Sequence, residues 1–266
     1  MRDTVSLYLR FVSVCLRSKM QYRASFLLLS AGQFFSLLLE FLAIWALFAR
    51  FGSLRGWSLP EIAVFYGVTH GSFGVAEIVG RGFDTFSDMI KSGDFDRFLV
   101  RPRSTTLQVA GREFDGRIGR LVQSIAVFCW GLHALPITWT LAKAAILIAM
   151  VVGATCLFYG LFVLQATLSF WTVEGLEIMN AVTYGGTETA QYPLTIYRPW
   201  FRSIFTFIIP LACVNYLPAG LLFGGRHASL SAAPILALCP IAGALFLGFS
   251  LLCWRAGVRH YCSTGS

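Results

Sequence analysis

Phe26-Leu27-Leu28-Leu29-Ser30-Ala31-Gly32-Gln33-Phe34-Phe35-Ser36-Leu37-Leu38-Leu39-Glu40-Phe41-Leu42-Ala43-Ile44-Trp45-Ala46-Leu47-Phe48 decides the class of this chain. As a helix the run is about 34 Å long, enough to cross a hydrocarbon core of about 30 Å. Two polar residues interrupt it, Gln33 and Glu40. With Ser36 they fall at i, i+3 and i+7, on one face. The run reads as a membrane span with a polar seam turned away from lipid.

The rest of the chain agrees. Of 266 residues, 56% are hydrophobic and 13% charged, more apolar surface than a soluble domain of this length can hide. The net charge of +8 comes almost wholly from arginine, because Lys19, Lys91 and Lys143 are the only lysines. Most basic residues flank apolar runs, the placement of topology-setting charges rather than of a nucleic-acid surface. The seven cysteines show no CxxC or metal-ligand spacing and read as small apolar filler. About 25 mostly amphipathic residues precede the first span, which is too long for a signal h-region and is expected to stay in the mature protein.

Residues 1–25 hold Arg2, Arg10, Arg17, Lys19 and Arg23 around the stripe Val5, Tyr8, Leu9, Val12, Leu16. This pattern predicts an interfacial helix. Further spans are expected at 59–80, 118–135, 141–170, 204–223 and 234–254, making six with 26–48. The span at 59–80 combines Tyr66, His70, Phe73 and Glu77 with the ladder Gly67, Gly71, Gly74, and so should face protein. Pro210 and Pro218 predict a kink or break in 204–223. Residues 171–203 read as a cytoplasmic connection; the alternative makes 165–184 the fifth span and the next apolar run re-entrant. Both versions leave the termini on one side. With the N-terminus inside, seventeen Lys/Arg are cytoplasmic and four (Arg50, Arg55, Lys143, Arg226) are outside.

Between the second and third spans lies the largest charged island, residues 81–103. Phe83, Phe86 and Ile90, then Phe95, Phe98 and Leu99, recur at helical spacing. Gly93 is expected to end one short helix and Asp94 to N-cap a second, stopped by Pro102. The island predicts a folded cytoplasmic knob. Its docking surface would comprise Asp84, Asp88, Lys91, Asp94, Asp96 and Arg97 around the apolar stripe Phe83, Phe86, Ile90, Phe95 and Phe98; the bland reading is a solvated loop.

Catalytic signals are missing: the sequence holds no GxxxxGK[ST], HExxH or GxSxG. A carboxylate inside a bilayer costs on the order of 3 kcal/mol, so Glu40 either lines a substrate route or closes an interhelical hydrogen bond. Glu77 is placed to pair with Arg81 at i+4. His70 is a hydrogen-bonding group or a proton relay. With Gln33, Tyr66, Asn215 and Tyr216, these three make the set of candidate translocation-path residues.

Several blocks together resemble the ABC-2 type transporter permeases over essentially the whole length. They are Tyr22-Arg23, Gly93-Asp94-Phe95-Asp96-Arg97-Phe98-Leu99-Val100-Arg101-Pro102, Tyr192-Pro193, Ile209-Pro210, Asn215-Tyr216-Leu217-Pro218-Ala219 and the tail Trp254…Gly257…Tyr261-Cys262-Ser263-Thr264-Gly265. The resemblance implies an all-α polytopic half-transporter in the bacterial cytoplasmic membrane. A second permease, identical or paralogous, would pair with it, and two ATP-binding subunits would dock on 81–103, which becomes the coupling helix region. ATP and Mg would be bound by those subunits, with no cofactor in this chain. Membrane lipid is the expected surrounding; nucleic acid is not a partner. Export is the expected direction. A secondary transporter or channel would need mid-membrane coupling-ion carboxylates and usually an internal repeat; a scaffold without transport is the third class.

Overall fold

The computed structural model describes residues 2–113, 118–172, 176–223 and 238–261. The expected start of the last span at Pro234, the residues Asp115, Arg117, Glu174, Gly224 and Arg226, and the tail from Cys262 lie outside them. Among the described residues the secondary structure is helical. In order these are α1 (Arg2–Met20), α2 (Arg23–Phe51), α3 (Leu59–Asp84), α4 (Phe86–Lys91), α5 (Asp96–Leu99) and α6 (Thr105–Ala110). There follow α7 (Ile118–Ala134), α8 (Leu141–Leu168), α9 (Leu176–Ala190), α10 (Pro199–Ser203), α11 (Leu217–Leu222) and α12 (Ile241–His260).

Among the described residues, four helical runs are long and apolar enough to cross a membrane: Arg23–Phe51, Leu59–Lys91, Leu141–Leu168 and Ile241–His260. A bent pair, Pro199–Ile208 and Ala212–Leu222, passes that test only when taken together. Helix α7 has 17 residues and α9 has 15, both shorter than any of these four runs.

The hub is α3. Of its most apolar stretch 78% is buried, against 11% for α2, so one is wrapped by protein and the other lies at the rim. Its start is set by a capping box: the Glu61 carboxylate accepts from the Ser58 backbone N–H and from the Ser58 hydroxyl, both at 2.8 Å. The glycine ladder is where α7 comes in. A Cβ on Gly67 would lie 2.4 Å from Phe128 Cβ, so the two backbones meet at a distance that no side chain at 67 permits. On the other side α8 and α9 close over α3. Apolar side chains on the outer faces of α2 (Leu28, Phe35, Leu39) and α12 (Leu245, Phe249, Leu252) stay exposed, as a lipid-facing or subunit-facing girdle requires.

One expectation needs correction. The stretch 171–203 is not a connection confined to the island end. It contains α9, whose contacts walk along α3 from one end to the other. Asn180 Oδ1 accepts from Gln165 Nε2 (3.0 Å), Tyr184 donates to Asp84 (3.1 Å), and Gln191 meets His70 (3.1 Å). Thr195 then gives its carbonyl to Arg55 (2.7 Å) in the loop at the far end. Arg198 and Arg202 therefore belong with that far end, leaving fifteen Lys/Arg against six, still strongly asymmetric.

The kink or break expected in 204–223 is present. Its two arms are bent by 84°, with Ile209 extended (φ −117°, ψ 99°) before Pro210. Proline lacks the N–H that would continue the ladder and pushes its predecessor out of the helical region. Single π-helical turns flank the break, Ile204–Ile208 and Ala212–Tyr216.

Helix α1 lies over the island end. Its Tyr8 hydroxyl donates to the Val79 carbonyl (3.3 Å), and burial raises this phenol above its ordinary range.

Candidate functional site

The island is two short helices held against the ends of the long ones. Helix α4 ends at Lys91, and Gly93 turns the chain with φ +71°, a left-handed conformation that glycine adopts without strain. Asp94 does not cap α5, which starts at Asp96 with Phe95 before it. Its carboxylate instead accepts from the Ser92 hydroxyl (3.1 Å) and pairs with Arg97 (3.6 Å) and Arg112 (3.9 Å). Gln108 of α6 donates to the carbonyls of Phe98 (3.2 Å) and Arg103 (3.0 Å), closing off the segment.

The aromatic stripe faces inward, which corrects its assignment to a docking surface. Phe83, Phe86 and Phe95 are fully buried, and Ile90 nearly so. They surround Trp254 of α12 and Phe170, just past α8. Phe86 lies 4.9 Å from Trp254, 5.0 Å from Phe95 and 5.2 Å from Phe170, while Phe83 lies 5.1 Å from Trp254. Phe95 also meets Tyr261 at 5.1 Å. These edge-to-face contacts add to the burial of large rings. Phe98 is half-buried beneath the Arg101 guanidinium.

Asp84 is likewise engaged inside. It pairs with Arg81 and accepts from Gln165 (3.2 Å) and Tyr184 (3.1 Å), tying α3 to α8 and α9. The outward surface that remains is Asp88, Lys91 and Arg97, with Asp94 and Asp96 at its edge. Beside them lies an exposed apolar step: Leu99, the last residue of the stripe, and Val100, which the helical spacing missed and which is 83% exposed.

A polar seam runs inside the bundle. Tyr66 and Gln123 both donate to the Leu37 carbonyl, at 3.1 and 3.3 Å. One turn along α3, His70 Nε2 is 3.1 Å from Gln191 Oε1 and 3.6 Å from Glu40 Oε1. Gln191 Nε2 donates to Glu188 at 2.8 Å. Asn215 donates to Thr69 (3.0 Å) and to the Ala190 carbonyl (2.8 Å), which is left without an intrahelical partner where α9 stops.

The structure thus brings Glu40, Tyr66, His70 and Asn215 together and separates the other candidates. Glu77 sits about 10 Å further along α3, against Arg81 (3.4 Å) and Arg120 (3.8 Å). Tyr216 faces Trp57, ring centroids 6.2 Å apart. Gln33 lies two turns from Glu40 with its Oε1 shut from solvent. Sequence reasoning missed Gln123 and Gln191. A lone amide in the run Ile118–Ala134 was the available signal for the first; only the return of the chain after α9 reveals the second.

Alongside this seam, α2 and residues 188–197 enclose a groove of about 540 Å³. Among the described residues no three His, Cys, Asp or Glu are grouped to hold a metal ion.

A family model described as ABC-2 family transporter protein matches residues 34–265. No curated protein and no solved structure matches the chain.

Proposed function

Because this chain belongs to the ABC-2 family of transporter proteins, and is therefore a multi-pass membrane protein of the non-catalytic, transmembrane-subunit type, we propose that it is half of an ATP-driven exporter. Two separate subunits would bind ATP and Mg and dock on the outward face of 81–103. A second permease chain, identical or paralogous, would complete the pore in a bacterial cytoplasmic membrane. In this reading α2, α3, α7, α8, α9 and α12 are six crossings, both termini are cytoplasmic, and the bent pair 199–222 is re-entrant from the outer side. The walk of α9 contacts from Asp84 to Arg55 supports that arrangement.

The observation that carries the proposal is the ring cluster beneath the island. A loop meant only to be solvated has no use for five large rings in mutual contact. Here Phe83, Phe86 and Phe95 fasten the knob to α12 through Trp254 and to the end of α8 through Phe170. A push on Asp88, Lys91 and Arg97 is then delivered to long helices rather than absorbed locally. The seam around Glu40 and His70 is the path those helices would open.

The experiment is co-expression with a candidate ATP-binding subunit, followed by purification and assay of ATP hydrolysis. Reversing three charges on the outward face (D88K, K91E, R97E) is expected to weaken docking about tenfold, since exposed pairs contribute up to about 1 kcal/mol each. Unaltered capture and hydrolysis by the reversed variant would refute this docking surface.

A further inference from the structure

We propose that the groove between α2 and residues 188–197 binds an amphipathic organic cation, with Glu40 and Glu188 holding its charge. The inference rests on the transporter reading only in making that cation the cargo; the binding site stands on its own geometry.

The groove has one sign of charge. Among the described residues two carboxylates line it, Glu40 and Glu188, and no lysine, arginine or histidine does. Two arginines on neighbouring elements are engaged elsewhere. Arg120 pairs with Glu77 (3.8 Å) and lies over the Phe73 ring (5.2 Å), while Arg55 donates to the Thr195 carbonyl (2.7 Å). His70 does not supply that charge: the Gln191 side-chain nitrogen donates to Glu188, so the Gln191 amide oxygen accepts from His70 Nε2–H. Glu40 Oε1 is shut from solvent with His70 Nε2 3.6 Å away, and Gln191 is a neutral hydrogen-bonding neighbour of this carboxyl, so no cation of the protein is spent on it there. Two like charges beside a low-dielectric wall repel each other, and a cation between them converts that repulsion into attraction.

The remaining wall sets the rest of the ligand. Ile44 and its neighbours on α2 present an apolar side, and Tyr192 and Tyr197 supply ring faces that attract an alkylammonium or phosphonium centre. A volume of about 540 Å³ lies within the range of small-molecule sites, about 300–1,000 Å³, and far exceeds the needs of a bare metal ion.

The test is equilibrium binding of tritiated tetraphenylphosphonium to the full chain in lipid nanodiscs, with empty nanodiscs as the background. Tetraphenylborate, of the same shape and opposite charge, is measured in a separate titration, because the two ions pair when mixed. The expected result is saturable phosphonium binding and no saturable tetraphenylborate binding. Glu40→Gln and Glu188→Gln should each weaken it at least about tenfold. Glu177→Gln, which removes an exposed carboxylate of α9 outside the groove, should leave it unchanged. Equal affinity in the two groove variants, or equal binding of tetraphenylborate by the wild-type chain, overturns the proposal; the second comparison holds even if a variant does not fold. No ATP-binding subunit is present, so failure of the docking surface leaves this result untouched, and loss of phosphonium binding leaves docking untouched.

Discussion

Phe95→Ala tests whether the knob is a rigid handle. The side chain is fully buried, with ring centroids 5.0 Å from Phe86, 5.6 Å from Phe170, 6.3 Å from Trp254 and 5.1 Å from Tyr261. Removing a buried phenyl ring costs about 3–5 kcal/mol, part lost transfer energy and part cavity. That cost should fall on local opening rather than on the whole bundle. Besides Phe95, the segment Phe86–Leu99 is held by the buried Phe86, Met89 and Ile90, by the Asp94 contacts and by the Gln108 hydrogen bonds to Phe98 and Arg103. An opening free energy lower by that amount raises the open population about a hundred- to a few-thousand-fold.

Amide hydrogen exchange of the chain in nanodiscs reads this directly. Residues 86–100 should exchange faster by about two to three orders of magnitude, while the middle of α8 keeps its protection. In the assembled transporter, ATP hydrolysis should persist while transport per ATP falls, because the push is taken up by a loosened segment. If residues 86–100 exchange at the wild-type rate, the rings do not anchor the knob. If they loosen and transport per ATP is unchanged, the knob does not transmit force. Either result would refute the reasoning.

Two further outcomes follow from packing and from the seam. Gly67→Leu drives a side chain into Phe128 and should abolish recovery of monodisperse protein in detergent, whereas Gly32→Ala, with nothing within 4 Å of its new Cβ, should shift the melting temperature little. Gln191→Leu strips His70 and Glu188 of a shared partner; a buried polar group left unpaired costs about 1–3 kcal/mol, so the variant should melt several degrees lower. A Gln191→Leu variant that melts with the wild type would show the linkage of His70 to Glu188 to be incidental.

The sequence alone determined the class, the sign asymmetry of the ends and the existence of a folded island, because each depends on local composition. A 23-residue apolar run, arginines gathered at one set of helix ends, and a Gly93 between two helical stripes carry their meaning without neighbours. Glycine spacing on α3 likewise marked a close packing face, now occupied by Phe128 and Leu121 of α7.

Only the tertiary structure decided which way the stripes faced. Helical spacing shows that Phe83, Phe86 and Phe95 share a side, but Trp254, some 160 residues away, determines that the side is interior. The same holds for the seam. Glu40, His70 and Glu188 sit on three separate helices, and the amide that links them, Gln191, follows the end of α9. A hydrogen bond between residues 121 positions apart leaves no periodic trace in the chain. Beside it, past the Pro210 break where two arms bend by 84°, Asn215 returns to donate to the Ala190 carbonyl, a contact equally distant from any local pattern.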